Sequence, residues 1–444
     1  MRTPAGGRGV AVQVALSIVL PLAGPSASAQ PQDTLAGVAP DTSQNAPLSV
    51  LPDAVQDAPQ GSPQATLDVM DLWRRIRHLP PVDPNDAQDY RKRMPVWAPI
   101  IGGKPTVGLM VGVAGNITFY RGEPQTTRVS SLNTSLTFST SSQTSVSARL
   151  SLFGPADAWR LEGDNRAKWG SQDNYGLGAN TQASEADNTK FTFFRVHETA
   201  YRRLAGGMFG GLGIHFDDYS DFSPGSGVAP DEFDETEFVT YSTEHGLSLS
   251  HQVSAGLSVS LLADTRDSTI DPRTGWLGTA NYRALFKGVL GGSSGWQLVH
   301  VEGRTYRPLG PSGRQRLAVW LFGDFTFGGP VPYFDLPTTG MDPYGRSARG
   351  YAEGHFRGER LMYGEVEYRR TLTDNGLLGL VVFLNTSTVS NEEEREQLFE
   401  HLAPGGGAGL RVLLNKRSRV QLCFDVGFGE RGSTGVYVAV QEAF

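Results

Sequence analysis

Short stretches in which apolar and polar residues alternate dominate the chain from about residue 105 to its end. In 420–428 every second residue is apolar, and the residues between are polar or small. The same period of two recurs in 145–152 and 316–327, and no helical period interrupts it. A period of two places successive side chains on opposite faces of a strand. The pattern predicts an all-β structure with one apolar face and one polar face.

Clusters of Gly, Pro, Asn, Asp and Ser separate these stretches into antiparallel hairpins. Read backwards from the C-terminus, the predicted strands are 436–444, 419–428, 407–414, 377–388, 361–372, 316–327, 295–307, 276–286 and 255–266. About 340 residues, divided into strands of roughly 9 to 14 residues with their loops, give an even number near 16. Fourteen and eighteen strands are also compatible with this length.

Between residues 201 and 244, the sequence does not decide which turns lie at which end of the sheet. The tight turn at 205–207 and a long acidic loop expected over 217–237 compete for the same side of the sheet. Elsewhere the short turns, such as those at 311–313 and 415–418, fall at every second junction, so the short turns gather at one end of the sheet.

A soluble β-sandwich also alternates, so the other features of the chain have to decide between the two architectures. Many glycines and aromatic residues, strands of ten or more residues and a terminal phenylalanine, Phe444, favour a membrane barrel. We therefore predict a transmembrane antiparallel β-barrel of about 16 strands.

The N-terminal region predicts export. Residues 1–29 have a basic start, an apolar core and a small-residue cleavage site, which is the pattern of a signal peptide. Residues 30–97 are expected to form a disordered tether, rich in Pro, Ala, Asp, Gln and Ser at its start, with one short amphipathic helix at 65–79. The barrel is expected to occupy 98–444.

Composition narrows the classes of partner. Without the two arginines of the signal peptide, the chain carries 37 basic and 46 acidic side chains, a formal charge of −9, which argues against nucleic acid. The single cysteine, Cys423, excludes an intramolecular disulfide framework and a cysteine-based zinc cluster.

A loop with three arginines runs directly into one of the predicted strands. The arginines are Arg346, Arg349 and Arg357. In the strand at 361–372 the odd positions are polar or amphipathic and include Glu365 and Glu367. If the polar face lines a barrel lumen, the loop can fold inward and pair an arginine with these carboxylates. Alternatively, the loop is solvated and Arg349 has no partner.

Other chemistry has weaker signals. The GGSSG sequence at 291–295 has the letters of a serine-hydrolase elbow, but it bridges two predicted strands instead of joining a strand to a helix. The eight histidines contain no HExxH motif, and the acids in 217–237 are more often a solvated loop than a cation site. We therefore expect no catalytic residue, no metal and no cofactor.

Two groups of residues resemble a known signature. The first group is Asp264, Thr265, Arg266 and Asp267, followed by Pro272 and Gly275. It resembles the DxRD…P..G strand-turn-strand element of the BamA/TamA superfamily, also called the bacterial surface antigen proteins. The second group, Arg349, Gly350 and Tyr351, resembles the RGF/RGY signature in that family's long sixth extracellular loop.

Further elements follow in the family's order. Residues 365–369 resemble the strand after the loop, 407–411 and the FDVGFG run resemble the last hairpins, and the closing QEAF resembles the C-terminal signal. The resemblance implies a 16-stranded outer-membrane barrel with a long inward-folded extracellular loop and a weak seam between the first and last strands. Two features depart from the family. The chain has little room for periplasmic polypeptide-transport-associated domains, and Asn385 stands where the family usually has an aspartate.

The resemblance implies a non-enzymatic barrel in the outer membrane of a Gram-negative bacterium, acting in outer-membrane biogenesis by inserting or translocating protein or lipid. Two alternatives stay open, a passive pore or structural barrel and an outer-membrane lipid hydrolase. The expected partners are outer-membrane lipids, lipopolysaccharide and assembly proteins of the periplasm or outer membrane.

Overall fold

The computed structural model describes residues 66–80, 92–104, 108–442 and 444. The predicted signal peptide and most of the predicted tether lie outside these residues. Within them, sixteen strands follow one another in a single antiparallel sheet, each hydrogen-bonded to its neighbours in chain order. This confirms the predicted barrel and its strand number.

The strands β1 to β16 vary widely in length. Their bounds are Met94–Lys104, Gly108–Phe119, Ser130–Ser139, Thr144–Phe153, Trp159–Asn174, Asp187–Ala205, Met208–Pro224, His251–Asp264, Gly275–Leu285, Trp296–Leu309, Gln315–Phe327, Arg360–Thr371, Leu378–Val389, Ala403–Asn415, Val420–Gly429 and Thr434–Val440. The longest, β6, has 19 residues, whereas β16 has only 7.

Alternation along the strands separates a lipid face from a lumen face. In β15, Phe424, Val426 and Phe428 are between 42% and 57% exposed. Cys423 and Asp425, at the alternate positions, are buried. An outward apolar row and an inward polar row are what a barrel in a bilayer requires.

The structure resolves the parity between 201 and 244. The turn at 206–207 joins β6 to β7, and the loop at 225–250 joins β7 to β8 at the opposite end of the sheet. The expected acidic loop over 217–237 is therefore wrong in its first half, because β7 extends to Pro224. The loop contains a helix, α2, over Glu237–Glu244.

The loop between β11 and β12, residues 328–359, lies inside the barrel. Its side chains Tyr333, Ala348, Arg349 and Arg357 are at most 1% exposed. This loop also contacts the far wall, since the backbone carbonyl of Asp342 accepts a hydrogen bond from Arg166 of β5 at 3.0 Å. The long inward-folded loop of the prediction is confirmed.

The seam lies between β16 and β1. These two strands run side by side, but among the described residues no hydrogen-bonded ladder joins them. The last strand ends at Val440, earlier than the predicted 444, because Gln441 adopts a positive φ of 95°. The terminal residue Phe444 is 3% exposed and packs in the lumen against Trp320, with ring centroids 5.1 Å apart.

A short helix, α1, spans Val69–Ile76 beside the periplasmic turns of the barrel. Among the described residues, no helix is long and apolar enough to cross a bilayer.

Candidate functional site

A cluster of buried charges holds the inward loop against β12, β14 and β15. Its four guanidinium groups belong to Arg346, Arg349, Arg369 and Arg411, and its four carboxylates belong to Glu365, Glu367, Asp425 and Glu442. All eight side chains are at most 4% exposed, so the charges have little access to water. Because the numbers of positive and negative groups are equal, the cluster can be neutral without bound ions.

Arg349 is the centre of this cluster. Its Nη2 atom lies 2.5 Å from Glu365 Oε1 and also contacts Glu367, and its Nη1 donates to Asp425 Oδ2 at 2.8 Å. Its guanidinium plane lies over the ring of Phe383, 3.7 Å from the ring centroid. Planar guanidinium groups make several directed charge-assisted bonds at once, which an ammonium group cannot reproduce.

The two residues after Arg349 fix the loop backbone against β15. Gly350 has a φ of 117°, and a Cβ there would lie 2.7 Å from the carbonyl carbon of Phe428. Only glycine combines this conformation with such a close approach. The hydroxyl of Tyr351 donates to the carbonyl of Pro404 at 2.5 Å and accepts the amide N–H of Glu430 at 2.9 Å.

The structure therefore brings Arg349, Gly350 and Tyr351 together with both predicted acids. Asn385 lies in the same cluster, but its amide donates to the backbone carbonyl of Arg349 at 3.1 Å and not to the guanidinium. Sequence reasoning missed Asp425 as a partner. Its signal was present, because it is the one acid on a strand face that otherwise carries Gln421, Cys423 and Gly427.

The second predicted motif forms an ion-pair network at the periplasmic end. Asp264, at the end of β8, accepts two parallel hydrogen bonds from Arg266, each at 2.9 Å. Arg160 and Arg128 also contact this carboxylate, at 3.1 Å and 2.8 Å. The backbone of Gly275 has a φ of 92°, and a Cβ would collide with the carbonyl oxygen of Thr265.

The turn at 265–274, which includes Pro272, crosses the periplasmic mouth of the barrel. Asp267 pairs with Arg419 at the start of β15 at 2.8 Å, and Asp271 pairs with Arg316 of β11. Ile270 is 1% exposed and packs with Leu414 and Val420 in an apolar cluster. The turn thus links the strands opposite the seam to strands beside it.

Among the cavities between the inward loop and the lumen wall, two have volumes of about 290 Å³ and 340 Å³. Both are lined by a mixture of polar, charged and apolar side chains. Both volumes are far smaller than a folded protein domain.

Residues considered for hydrolysis have other partners. The hydroxyl of Ser293 accepts the amide N–H of Val253 at 2.8 Å. A different serine, Ser258, lies 2.8 Å from Nε2 of His215, but Nδ1 of that histidine has no hydrogen-bond partner among the described residues. A serine nucleophile needs a histidine that a third group orients. Within the part of the chain that the structure describes, no group of three or more His, Cys, Asp or Glu side chains has an arrangement for a metal.

Acidic side chains lie close together on the extracellular loops. Burial, together with the carboxylates of Glu393, Asp187, Glu244 and Glu394, raises the pKa of Glu237 to about 7. Two loops and the start of β6 therefore meet at a site where protonation relieves repulsion.

Comparisons with known proteins identify the family. The Omp85 superfamily domain matches residues 128–441. No curated protein sequence matches the chain. BamA from Haemophilus ducreyi lacking POTRA domains 1-3 has a similar structure, with a TM-score of 0.50 and 15% identity over 79% of this chain and 69% of that chain.

CdiB from Acinetobacter baumannii and CdiB from Escherichia coli are also similar, with TM-scores of 0.49 and 0.48 and 14% identity. Each match covers 79% of this chain and 60% or 62% of the CdiB chain. Membership of the matched family implies a place in the outer membrane. From the domain match, with the sixteen-stranded barrel, this chain belongs to the Omp85 superfamily.

Proposed function

We propose that the protein inserts or translocates a polypeptide or lipid client at the seam between β1 and β16. The observation that carries this proposal is the missing ladder between these strands in the described part of the barrel. A strand edge without a partner exposes backbone N–H and C=O groups, which can pair with another chain. Opening this edge costs less than opening any other strand pair of the sheet.

The short last strand supports the same proposal. The seven residues of β16 are fewer than the roughly 9 to 11 that a transmembrane strand needs. A barrel wall this short does not match the thickness of an ordinary bilayer, so the lipid beside the seam must thin or tilt to meet it. Thinner lipid lowers the barrier for a client that enters the membrane at this point.

The charge cluster has a defined part in this proposal. It fastens the loop at 328–359 to β12 and β15, so the lumen stays closed while a client passes at the seam. We propose that Arg349, with Glu365, Glu367 and Asp425, acts as a positioning group and not as a catalytic one. A passive pore would need the opposite arrangement, a lumen free of this loop.

A strain from which the protein can be depleted tests the function. Loss of the protein should lower the outer-membrane content of other barrels, or raise phospholipid at the cell surface, before growth stops. Unchanged protein content and lipid distribution, with reduced uptake of small solutes, would overturn the proposal in favour of a passive pore. Release of fatty acid by the purified protein would point instead to the lipid hydrolase.

A further inference from the structure

Helix α1 has an apolar face that the barrel leaves uncovered. Met70, Trp73 and Ile76 follow at intervals of three, within an arc of about 120° on the helix. Their exposures are 52%, 46% and 76%, and Leu79, just beyond the helix, is 43% exposed. Large apolar side chains gathered on one exposed face mark an interaction surface.

The barrel holds only the first turn of this helix. Asp68 and Asp71 form a reciprocal capping box, and the ammonium group of Lys416 lies 2.7 Å from Asp71 Oδ2. The amide N–H of Leu67 donates to the carbonyl of Asn375 at 2.9 Å, and Val69 packs against the apolar cluster at the periplasmic mouth. The contacts fix the helix beside the periplasmic turns after β12 and β14.

A helix of eight residues is marginal in water unless an apolar surface covers it. Only the N-terminal turn of α1 has such a surface within the described part of the barrel. The turn that holds the start of the helix borders the lipid-facing belt, because Leu372 and Leu378 flank Asn375 and are 46% and 40% exposed. At this level of the barrel the neighbouring medium is the interface between lipid headgroups and acyl chains.

The exposed charges in the second half of the helix are positive. The guanidinium of Arg77 lies 5.4 Å from the centroid of the Trp73 ring, and the exposed Arg75, two residues after Trp73, lies on the opposite, polar face. An apolar face with tryptophan and a polar face with arginine are typical of helices that lie in the membrane interface. Since the protein as a whole has a net negative charge, this patch is complementary to an anionic surface that the rest of the chain would repel.

We propose that α1 is an interfacial anchor that binds anionic phospholipid in the periplasmic leaflet, with Trp73 and Ile76 among the acyl chains and Arg75 and Arg77 at the headgroups. Its attachment next to β14, on the seam side of the barrel, places the anchored lipid near the place where β16 ends. The inference needs the barrel to lie in a membrane but does not depend on any client.

The full-length protein in vesicles provides the test. An environment-sensitive fluorophore is attached at Ile76→Cys, and Cys423 does not compete for the label because it is completely buried. The matched control carries the label at Ser312→Cys, in the exposed turn between β10 and β11. Vesicles contain either phosphatidylcholine alone or phosphatidylcholine with phosphatidylglycerol.

With phosphatidylglycerol present, the emission at position 76 should shift to shorter wavelength and be quenched by lipids brominated on their acyl chains. Each arginine near an anionic surface contributes roughly fivefold to binding. The double variant Arg75→Gln with Arg77→Gln should therefore lose most of the shift, as should high salt. The variant Trp73→Ser should lose the quenching while the barrel still folds, because its side chain is outside the sheet.

The same measurements can overturn the proposal. Equal emission at position 76 in both kinds of vesicle would exclude recognition of anionic lipid. Emission typical of water in both kinds would show that bilayer lipid does not cover this face and would favour a periplasmic protein as its partner. Neither result tests the proposed insertion or translocation of a client, which the depletion experiment measures separately.

Discussion

Arg349 shows how far a single residue can be interpreted from sequence. An arginine-bearing loop before a strand with acids at every second position predicts a charge pair, and the structure places Arg349 against Glu365 and Glu367. The third partner, Asp425, comes from a strand 76 residues away. Alternation marks Asp425 as an acid on a polar strand face, but it does not show which strands the inward loop reaches, so the pairing with Arg349 could not be predicted.

Replacing Arg349 by alanine or lysine should loosen the inward loop. Removing one partner of a buried ion pair costs about 3 to 5 kcal/mol, because the remaining charges are left uncompensated. We expect faster proteolysis near Tyr351. We also expect that heating to a lower temperature is enough to convert the folded barrel into the unfolded form, as seen from its migration in gels. The double variant Arg349→Ala with Glu367→Gln should lose less free energy of unfolding than the two single variants together, by at least about 2 kcal/mol.

The exposed pair of Arg360 and Glu392 is the matched control for this cycle. These side chains are 43% and 59% exposed, and a surface pair contributes at most about 1 kcal/mol. Additive losses for Arg349 with each of Glu365, Glu367 and Asp425 would show that the cluster does not hold the loop.

At the scale of elements, the strands and the inward fold of one loop were predictable, and the packing of the extracellular loops against one another was not. A period of two identified the strands that follow residue 250 to within a few residues, apart from the end of the last one. The extracellular cover was missed, because its aromatic side chains are scattered over β6, β7, α2 and the inward loop. For example, Phe334 stacks on Phe238 with centroids 5.4 Å apart, although the two are almost a hundred residues apart in sequence.

The loops of this cover should bind each other more tightly at low pH. The pKa of Glu237 is raised to about 7, above its value in an unfolded chain. Protonated Glu237 therefore stabilises the packing of these loops fully below about pH 4.5, and this stabilisation is lost as the pH rises through 7. After screening by solvent, the effect should be about 1 kcal/mol. Protection factors for hydrogen exchange in 225–250, which correct for the intrinsic pH dependence of amide exchange, should be higher at pH 5.5 than at pH 8.

The variant Glu237→Gln should abolish most of this pH dependence and slow exchange at pH 8. The exposed Glu235 on the same loop is the control, since Glu235→Gln should leave the pH dependence unchanged. Identical pH profiles for all three proteins would mean that Glu237 does not control the packing of these loops.

At the scale of the whole molecule, the barrel is closed at both ends and weak along one side. The inward loop fills the lumen from outside, the turn at 265–274 crosses the periplasmic mouth, and β16 ends early beside β1. Short-range patterns could predict the barrel and its strand number. They could not predict the inward turn at Gln441, because that depends on contacts of Phe444 and Glu442 deep in the lumen.

The central claim is that a client is inserted or translocated at the seam, and a reversible crosslink there tests it most directly. Val96 of β1 and Val440 of β16 pack against the same apolar cluster, so cysteines at both positions can be joined by a short, cleavable thiol crosslinker. The control pair, Val319 with Val366, lies directly opposite in the existing ladder of β11 and β12.

In the depletion strain, the crosslinked seam should reproduce the loss of outer-membrane protein or the rise in surface phospholipid, and cleavage of the crosslinker should reverse it. The crosslinked control pair should behave like the unmodified protein. A protein that keeps its full function with the seam crosslinked would contradict the account.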